Sequence, residues 1–151
     1  MDVKVARSDR GWEVSVSPVQ LTKKGKELFG VEELVCRTMC VAKELLQRAN
    51  RSLLQAIHQM HRDIVYQYPK SVEHLGSSPR CEVQGMYEKA RLITVQGHPE
   101  FSGDIVSELL EARHASGVFD DTMYKDGMER VRKHHDGVAI GAAFIRFLRE
   151  G

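Results

Sequence analysis

Hydrophobic and polar residues alternate near the start of the chain with the period of a β-strand. Trp12, Val14 and Val16 are separated by polar residues over positions 11–19, which predicts a strand with one buried face. Pro18 has no N–H group to donate to a sheet, so we expect it to end regular pairing or to confine the strand to an edge.

Two helical segments are predicted next. Thr22 is a suitable N-cap for residues 23–29, and Gly30 is a suitable end. From residue 33 to about residue 57 the apolar positions step by three or four, which is the period of an amphipathic helix. They are Val35, Met39, Ala42, Leu46, Ala49, Leu53 and Ile57. Such a stripe is typical of packing, and it would also suit a partner-binding face.

Short β-like runs separated by turn residues fill the middle of the chain. They lie at 64–66, 72–75, 81–87 and 91–96. Residues 92–95 form a nearly continuous apolar, β-branched run, which is typical of a strand covered on both faces in a mixed or parallel sheet. Such a strand needs helices to cover it.

The last third of the chain supplies those helices. Their candidate N-caps are, in chain order, Ser102, Asp120 or Asp121, and Asp136. Strands followed by covering helices predict an α/β fold, and 151 residues suit a single domain over 1–151.

Composition and charge exclude several classes of function. The 22 Lys and Arg residues balance 21 Asp and Glu residues, so no overall field favours nucleic acid or anionic membrane. No apolar run is long enough to span a bilayer, and the charged start lacks the apolar stretch of a signal peptide. Three cysteines are an odd count that favours reduced thiols. We therefore expect a cytoplasmic protein with no nucleic-acid or membrane partner.

An imidazole and a carboxylate lie two residues apart just after the run 92–95. Pro99 favours extended backbone at His98, and residues i and i+2 of an extended chain project from one face, so His98 and Glu100 can face one crevice. Open α/β sheets form ligand crevices at such strand ends. A carboxylate beside an imidazole fixes its tautomer and stabilises imidazolium, as a base serving a nucleophile requires.

A structural role is the alternative for this pair on the residues alone. His98 would then be a hydrogen-bonded turn histidine. Glu100 would be a carboxylate favoured by the dipole of the helix that begins near Ser102.

Four stretches of the chain resemble class I glutamine amidotransferases. Residues 96–101 (QGHPEF) resemble the histidine-glutamate motif of that family, and residues 59–63 (QMHRD) are similar to its upstream histidine-x-aspartate segment. Residues 11–16 resemble the family's Gly-Trp strand, and residues 75–86 the segment leading into its last sheet strand. The likeness is to standalone fungal members and to plant γ-glutamyl peptidases.

The resemblance implies a fold and a reaction. The fold is a flavodoxin-like three-layer domain, of which this chain would be the C-terminal part with an incomplete sheet. The reaction uses a Cys-His-Glu triad that attacks a γ-glutamyl amide and passes through a thioester. By position, His98 would be the general base and acid and Glu100 its orienting residue. His61 and Asp63 could line the γ-glutamyl pocket, because residues i and i+2 of an extended segment share a face. The alternative for this pair is an exposed strand end with solvated side chains. No cofactor or metal is implied.

The chain departs from the family pattern in two ways. The family's nucleophile lies in a Gly-x-Cys-x-Gly elbow upstream of the Gly-Trp strand, whereas Cys36, Cys40 and Cys81 have no such flanking glycines. Residues 35–56 also interrupt the resemblance as an atypical amphipathic insertion. We interpret this insertion as either a lineage-specific helix or a translated non-coding stretch.

The remaining candidates are weaker. Arg62 or Arg80 could bind a substrate carboxylate. Pairs such as Cys36 with Cys40, or His58 with His61, do not have the spacing of zinc ligand sets.

The sequence therefore predicts a relative of enzymes that hydrolyse γ-glutamyl amides or peptides, with glutamine or a γ-glutamyl peptide as the small-molecule substrate. Because the nucleophile is missing, we expect no activity from this chain alone. The alternative is a non-catalytic interaction module, which could self-associate through an exposed sheet edge.

Overall fold

The computed structural model describes residues 3–30 and 54–150 and confirms the predicted α/β class. Within these residues strands and helices follow one another as β1 (Val5–Arg7), β2 (Glu13–Leu21), α1 (Lys23–Phe29), β3 (Leu54–His61), β4 (Asp63–Val65), β5 (Glu73–Ser77), β6 (Gly85–Glu88), β7 (Leu92–Val95), α2 (Gly103–Ala115), α3 (Asp121–Arg130) and α4 (Gly137–Glu150).

Five of the strands form one curled sheet in the order β3, β2, β5, β6, β7, and every pair in it is antiparallel. β1 and β4 pair separately as a two-stranded ribbon. The longest pairing joins β2 to β3, from Glu13 opposite His61 to Gln20 opposite Leu54. β3 and β7 therefore lie at the two edges of this sheet.

The prediction that residues 92–95 are covered on both faces in a mixed or parallel sheet is wrong. β7 is an edge strand paired antiparallel with β6, and its four residues are only half-buried. Only a tight turn separates Glu88 from Leu92. Such a turn permits a hairpin, whereas a parallel connection needs a dozen residues or more.

β2 contains the strand predicted at residues 11–19, but the expectation of one buried face is wrong, and of the two expectations for Pro18 only the edge position holds. Both faces are buried, since Glu13, Ser15 and Ser17 are 6%, 0% and 8% exposed. Pro18 lies inside the strand, opposite Ala56, and does not end the pairing. On its other side β2 has a partner strand only at Gln20 and Leu21, so the N–H group missing at Pro18 costs no bond to β5.

Two hydrophobic clusters hold the helices on the sheet. α1 and α4 cover one cluster, formed by Val19, Leu21, Phe29, Ile57, Leu75, Ile140 and Ala143. α2 and α3 cover the other cluster, formed by Val14, Met60, Val106, Leu110, Phe119 and Val131. β2 and β3 contribute to both clusters, so this pair of strands is the centre of the fold.

Three of the predicted N-caps are confirmed by hydrogen bonds. The side chains of Thr22, Ser102 and Asp120 accept bonds from the backbone N–H groups of the residues three positions later. Asp136 precedes α4, and its carbonyl accepts a bond from Ile140 N.

The predicted helix over 33–57 lies mostly outside the described residues, as does the greater part of the predicted insertion at 35–56. The prediction of a helix is wrong for the described residues of this segment, because Leu54 and Ile57 belong to β3. The register with β2 explains this, since eight consecutive β3 residues lie opposite β2 residues and strand pairing overrides helical periodicity. Among the described helices, none has the length and apolarity to cross a bilayer.

Candidate active site

His98 and Glu100 lie together after β7 and contact each other directly. Nδ1 of His98 is 2.8 Å from Oε1 of Glu100, which is a hydrogen-bond distance. The side chains are 35% and 64% exposed, so a reactant can reach them. Because Glu100 engages Nδ1, the other ring nitrogen, Nε2, is the atom available to exchange a proton.

The contact alters the acidity of the carboxyl group. Burial raises the pKa of Glu100, but the hydrogen bond from His98, a backbone hydrogen bond and the charge of His98 together bring the pKa below its ordinary value. Glu100 therefore stays a carboxylate at neutral pH and can stabilise an imidazolium on His98.

Two further contacts fix the imidazole of His98. Its backbone N–H donates to the carbonyl of His58 on β3, at 2.8 Å. Its ring stacks on Phe101 with 4.0 Å between ring centroids and 6° between the planes. The hydrogen bond to β3 therefore fixes the backbone position of His98, and the ring of Phe101 limits rotation of the imidazole.

His58 lies beneath this turn and is fully buried. Neither ring nitrogen has a hydrogen-bond partner within the described residues, and the ring contacts that of His135 at 4.6 Å between centroids. Burial, with a smaller contribution from His135, lowers the pKa of His58 to about 4. His58 is therefore a neutral packing residue at neutral pH.

His61 belongs to a buried polar cluster that the sequence did not reveal. Its Nε2 lies 3.4 Å from Oε2 of Glu13, without hydrogen-bond geometry. That oxygen also accepts hydrogen bonds from Ser78 Oγ at 3.0 Å and Gln84 Nε2 at 2.8 Å. Glu13 had the alternating position of a solvated residue, so no local signal could have shown its burial.

Asp63 does not share a face with His61, contrary to the expectation for residues i and i+2. A bend at Arg62 separates β3 from β4. Asp63 is 66% exposed and forms an ion pair with Arg7 at 3.6 Å, whereas His61 is 9% exposed. The two predicted pocket residues therefore lie in different surroundings, and their contact with substrate stays a prediction.

Cys81 does not have the surroundings of a catalytic thiol. It is 0% exposed, and Sγ donates to the carbonyl of Val83 at 3.3 Å. Burial raises the pKa of Cys81 to about 11 despite that bond, and a thiol is nucleophilic only as thiolate. Cys36 and Cys40 lie outside the described residues.

A second histidine-acid pair gives a reference for the first. Nε2 of His114 lies 2.7 Å from Oδ1 of Asp121, and the His114 ring stacks on Tyr124 at 4.4 Å. The side chain of His114 is 35% exposed, like that of His98. Distance and exposure alone therefore do not define a catalytic pair. His98 differs in its bond to β3 and in the motif around it.

No group of three or more His, Cys, Asp or Glu side chains in the described part of the chain is arranged to hold a metal ion. The side chain of His98 is partly exposed, and its Nε2 is suited to proton transfer.

Comparison with curated proteins identifies relatives named as a glutamine amidotransferase-like protein and a γ-glutamyl peptidase. The chain is 30% identical over 148 residues to a Schizosaccharomyces pombe protein named as glutamine amidotransferase-like, covering 98% of this chain and 51% of the relative. It is 28% identical over 78 residues to γ-glutamyl peptidase 2 of Arabidopsis thaliana, covering 52% of this chain and 32% of the relative. The chain thus spans about half or less of the length of these relatives. No protein-family model matches it.

Comparison with solved structures shows that the chain has the fold of part of a glutamine amidotransferase. The structure aligns with a glutamine amidotransferase from Thermotoga maritima at a TM-score of 0.64 and 14% identity. The alignment covers 97% of this chain and 55% of that one.

Proposed function

Because this chain belongs to the glutamine amidotransferase-like family, we propose that His98 and Glu100 are the base and the orienting carboxylate for hydrolysis of a γ-glutamyl amide. The nucleophilic thiol comes from a segment that is not among these 151 residues. The observation that carries the proposal is the 2.8 Å contact between His98 Nδ1 and Glu100 Oε1 at an accessible position.

The proposed reaction uses the free Nε2 of His98. This nitrogen takes the proton of the thiol, and the thiolate attacks the γ-carbonyl carbon of the substrate. The imidazolium, stabilised by Glu100, then gives the proton to the leaving amine, and a γ-glutamyl thioester forms. His98 next deprotonates a water molecule that hydrolyses the thioester. The products are an amine, glutamate and the regenerated thiol.

The thiols of the chain support the need for a nucleophile from outside it. None of the three cysteines has glycine two positions away on either side, so none has the sequence of a strained nucleophile elbow. Cys81 is buried, and its raised pKa keeps it protonated. We therefore propose that this chain alone does not hydrolyse γ-glutamyl compounds.

The proposed substrate class follows from the relatives. A glutamine amidotransferase and a γ-glutamyl peptidase both cleave an amide at the γ-carbonyl of a glutamyl group, so the base described here would serve either. A reducing compartment suits this chemistry because the thiol must stay reduced.

Complementation tests the proposal. The purified chain is mixed with a fragment of the fungal relative that carries the Gly-x-Cys-x-Gly elbow, and glutamate release is measured from glutamine and from γ-glutamyl dipeptides. We expect no release from either part alone and release from the mixture. His98→Ala should abolish the restored activity, and Glu100→Gln should reduce it by about 10²-fold or more, in the range of general-base effects.

The reference pair supplies the control variant. His114→Ala removes an imidazole of equal exposure from a similar contact, so it should leave the restored activity unchanged. The proposal fails if His98→Ala and His114→Ala have equal effects. It also fails if the chain alone releases glutamate.

A further inference from the structure

The turn that carries His98 and Glu100 is held between the edge of β3 and the start of α4. On the β3 side, His58 accepts the backbone hydrogen bond from His98. On the α4 side, Gly137 lies so close that a Cβ atom added to it would be 2.3 Å from the carbonyl oxygen of Pro99. Real Cβ atoms do not approach an oxygen so closely, so only glycine lets α4 approach the turn in this way.

The start of α4 is attached to the same edge of β3. Asp136 N donates to the carbonyl of Ala56 at 2.7 Å, and Ala56 N donates to Oδ2 of Asp136 at 2.7 Å. Ala56 lies two residues from His58, whose carbonyl binds His98. One stretch of β3 therefore fixes both α4 and the His98 backbone.

His135 fills the space between β3 and the start of α4. The ring of His135 contacts the buried ring of His58, and Nδ1 of His135 accepts a bond from Gly137 N at 3.2 Å. The described side chains thus pack from β3 to α4 beneath the turn. A change at the start of α4 would reach Pro99 by direct contact and not through a flexible linker.

We propose that Asp136 and Gly137 are positioning residues that hold His98 and Glu100 in hydrogen-bonding geometry. Asp136 anchors the first turn of α4 on β3, and the missing side chain of Gly137 lets that turn set the place of the Pro99 carbonyl. The catalytic consequence rests on the function proposed above, but the positioning itself is measured without any activity.

Gly137→Ala and Gly141→Ala are a matched pair on one helix. A Cβ at Gly141 would meet nothing within 4 Å, so the same substitution adds a methyl group to the same helix without a contact at the turn. The measured quantities are the carboxyl pKa of Glu100, from carbon-13 NMR titration, and the tautomer of the His98 ring, from nitrogen-15 shifts. We expect the Glu100 pKa to rise toward its ordinary value in Gly137→Ala and to be unchanged in Gly141→Ala.

Asp121 provides an internal reference for these titrations. The hydrogen bond from His114 and the charge of that residue hold the pKa of Asp121, the first residue of α3, below its ordinary value. The inference requires Glu100 to respond in Gly137→Ala while Asp121 does not. Equal responses of both carboxyl groups, or none at Glu100, would overturn it.

A second set of variants keeps the inference testable if Gly137→Ala does not fold. Asp136→Ala removes the acceptor for Ala56 N, whereas Asp136→Asn keeps a side-chain oxygen there. We expect the Glu100 pKa to rise in Asp136→Ala and to return toward the wild-type value in Asp136→Asn. Equal values in the two variants would contradict the anchoring role.

In the complemented enzyme, Gly137→Ala should lower kcat on the order of tenfold to a hundredfold with little change in KM, because it displaces the base and removes no substrate contact. If complementation restores no activity in the wild type, the proposed function fails while the NMR titrations still decide the positioning.

Discussion

Replacing Arg130 by methionine should remove three hydrogen bonds that join α3 to β2. Nη1 of Arg130 donates to the carbonyl of Val14 at 3.0 Å, to the carbonyl of Val16 at 2.7 Å and to Ser17 Oγ at 3.1 Å. β5 pairs with β2 only at Gln20 and Leu21. The guanidinium therefore donates to the carbonyls of Val14 and Val16, which β5 does not reach on that side of β2.

The expected cost follows from the burial of those acceptors. Val14 and Val16 are 4% and 5% exposed, so water cannot easily replace the lost donor. A buried acceptor left without a partner costs about 1–3 kcal/mol. This cost applies to the Val16 carbonyl, whereas the Val14 carbonyl keeps a hydrogen bond from Ser17 Oγ at 3.3 Å. Methionine keeps much of the apolar stem of arginine, which limits the loss of packing. We expect Arg130→Met to lower the free energy of unfolding by about 3 kcal/mol and Tm by about 9 °C.

Urea unfolding followed by circular dichroism measures this loss, and Arg132→Met is the control. Arg132 and its partner Asp104 are 73% and 77% exposed, and such surface ion pairs contribute about 0–1 kcal/mol. Equal effects of the two substitutions would refute the reasoning, since they would mean that the bonds to β2 do not stabilise the fold. Arg130→Lys should fall between the wild type and Arg130→Met because an ammonium group cannot reproduce the planar fork.

Two further predictions follow from the buried histidine and the buried thiol. Burial lowers the pKa of His58 from 6.5 to about 4, so between these pH values the unfolded chain binds a proton that the folded chain does not. The free energy of unfolding should fall as the pH falls through that window, by at most about 3 kcal/mol. His58→Leu should remove this part of the pH dependence in urea titrations, and an unchanged slope would contradict the assignment. Cys81 should be alkylated by iodoacetamide far more slowly in the native chain than in guanidinium chloride, because it is buried and burial raises its thiol pKa to about 11. Mass spectrometry of the peptide that contains Cys81 measures both rates, and similar rates would show that the thiol is accessible.

Local features of the sequence determined much of what was predicted correctly. Each confirmed N-cap, such as Thr22 or Ser102, bonds to a backbone N–H three residues later, so residue type and short spacing suffice to identify it. The contact between His98 and Glu100 is equally local, because the two residues are two positions apart in a turn in which Phe101 N donates to the carbonyl of His98. The family motif added a chemical interpretation that this spacing alone could not provide.

Only the tertiary structure decided which distant residues became neighbours. Gln84 lies 71 residues after the Glu13 carboxylate that it binds, and that contact exists because β2 and β6 belong to one sheet. The edge position of β7 and the separation of His61 from Asp63 likewise depend on strand order and on one bend. Alternation along a strand shows which residues share a face, but it does not show what covers that face. Burial of Glu13 and attachment of α4 to β3 therefore had no local signal in the sequence.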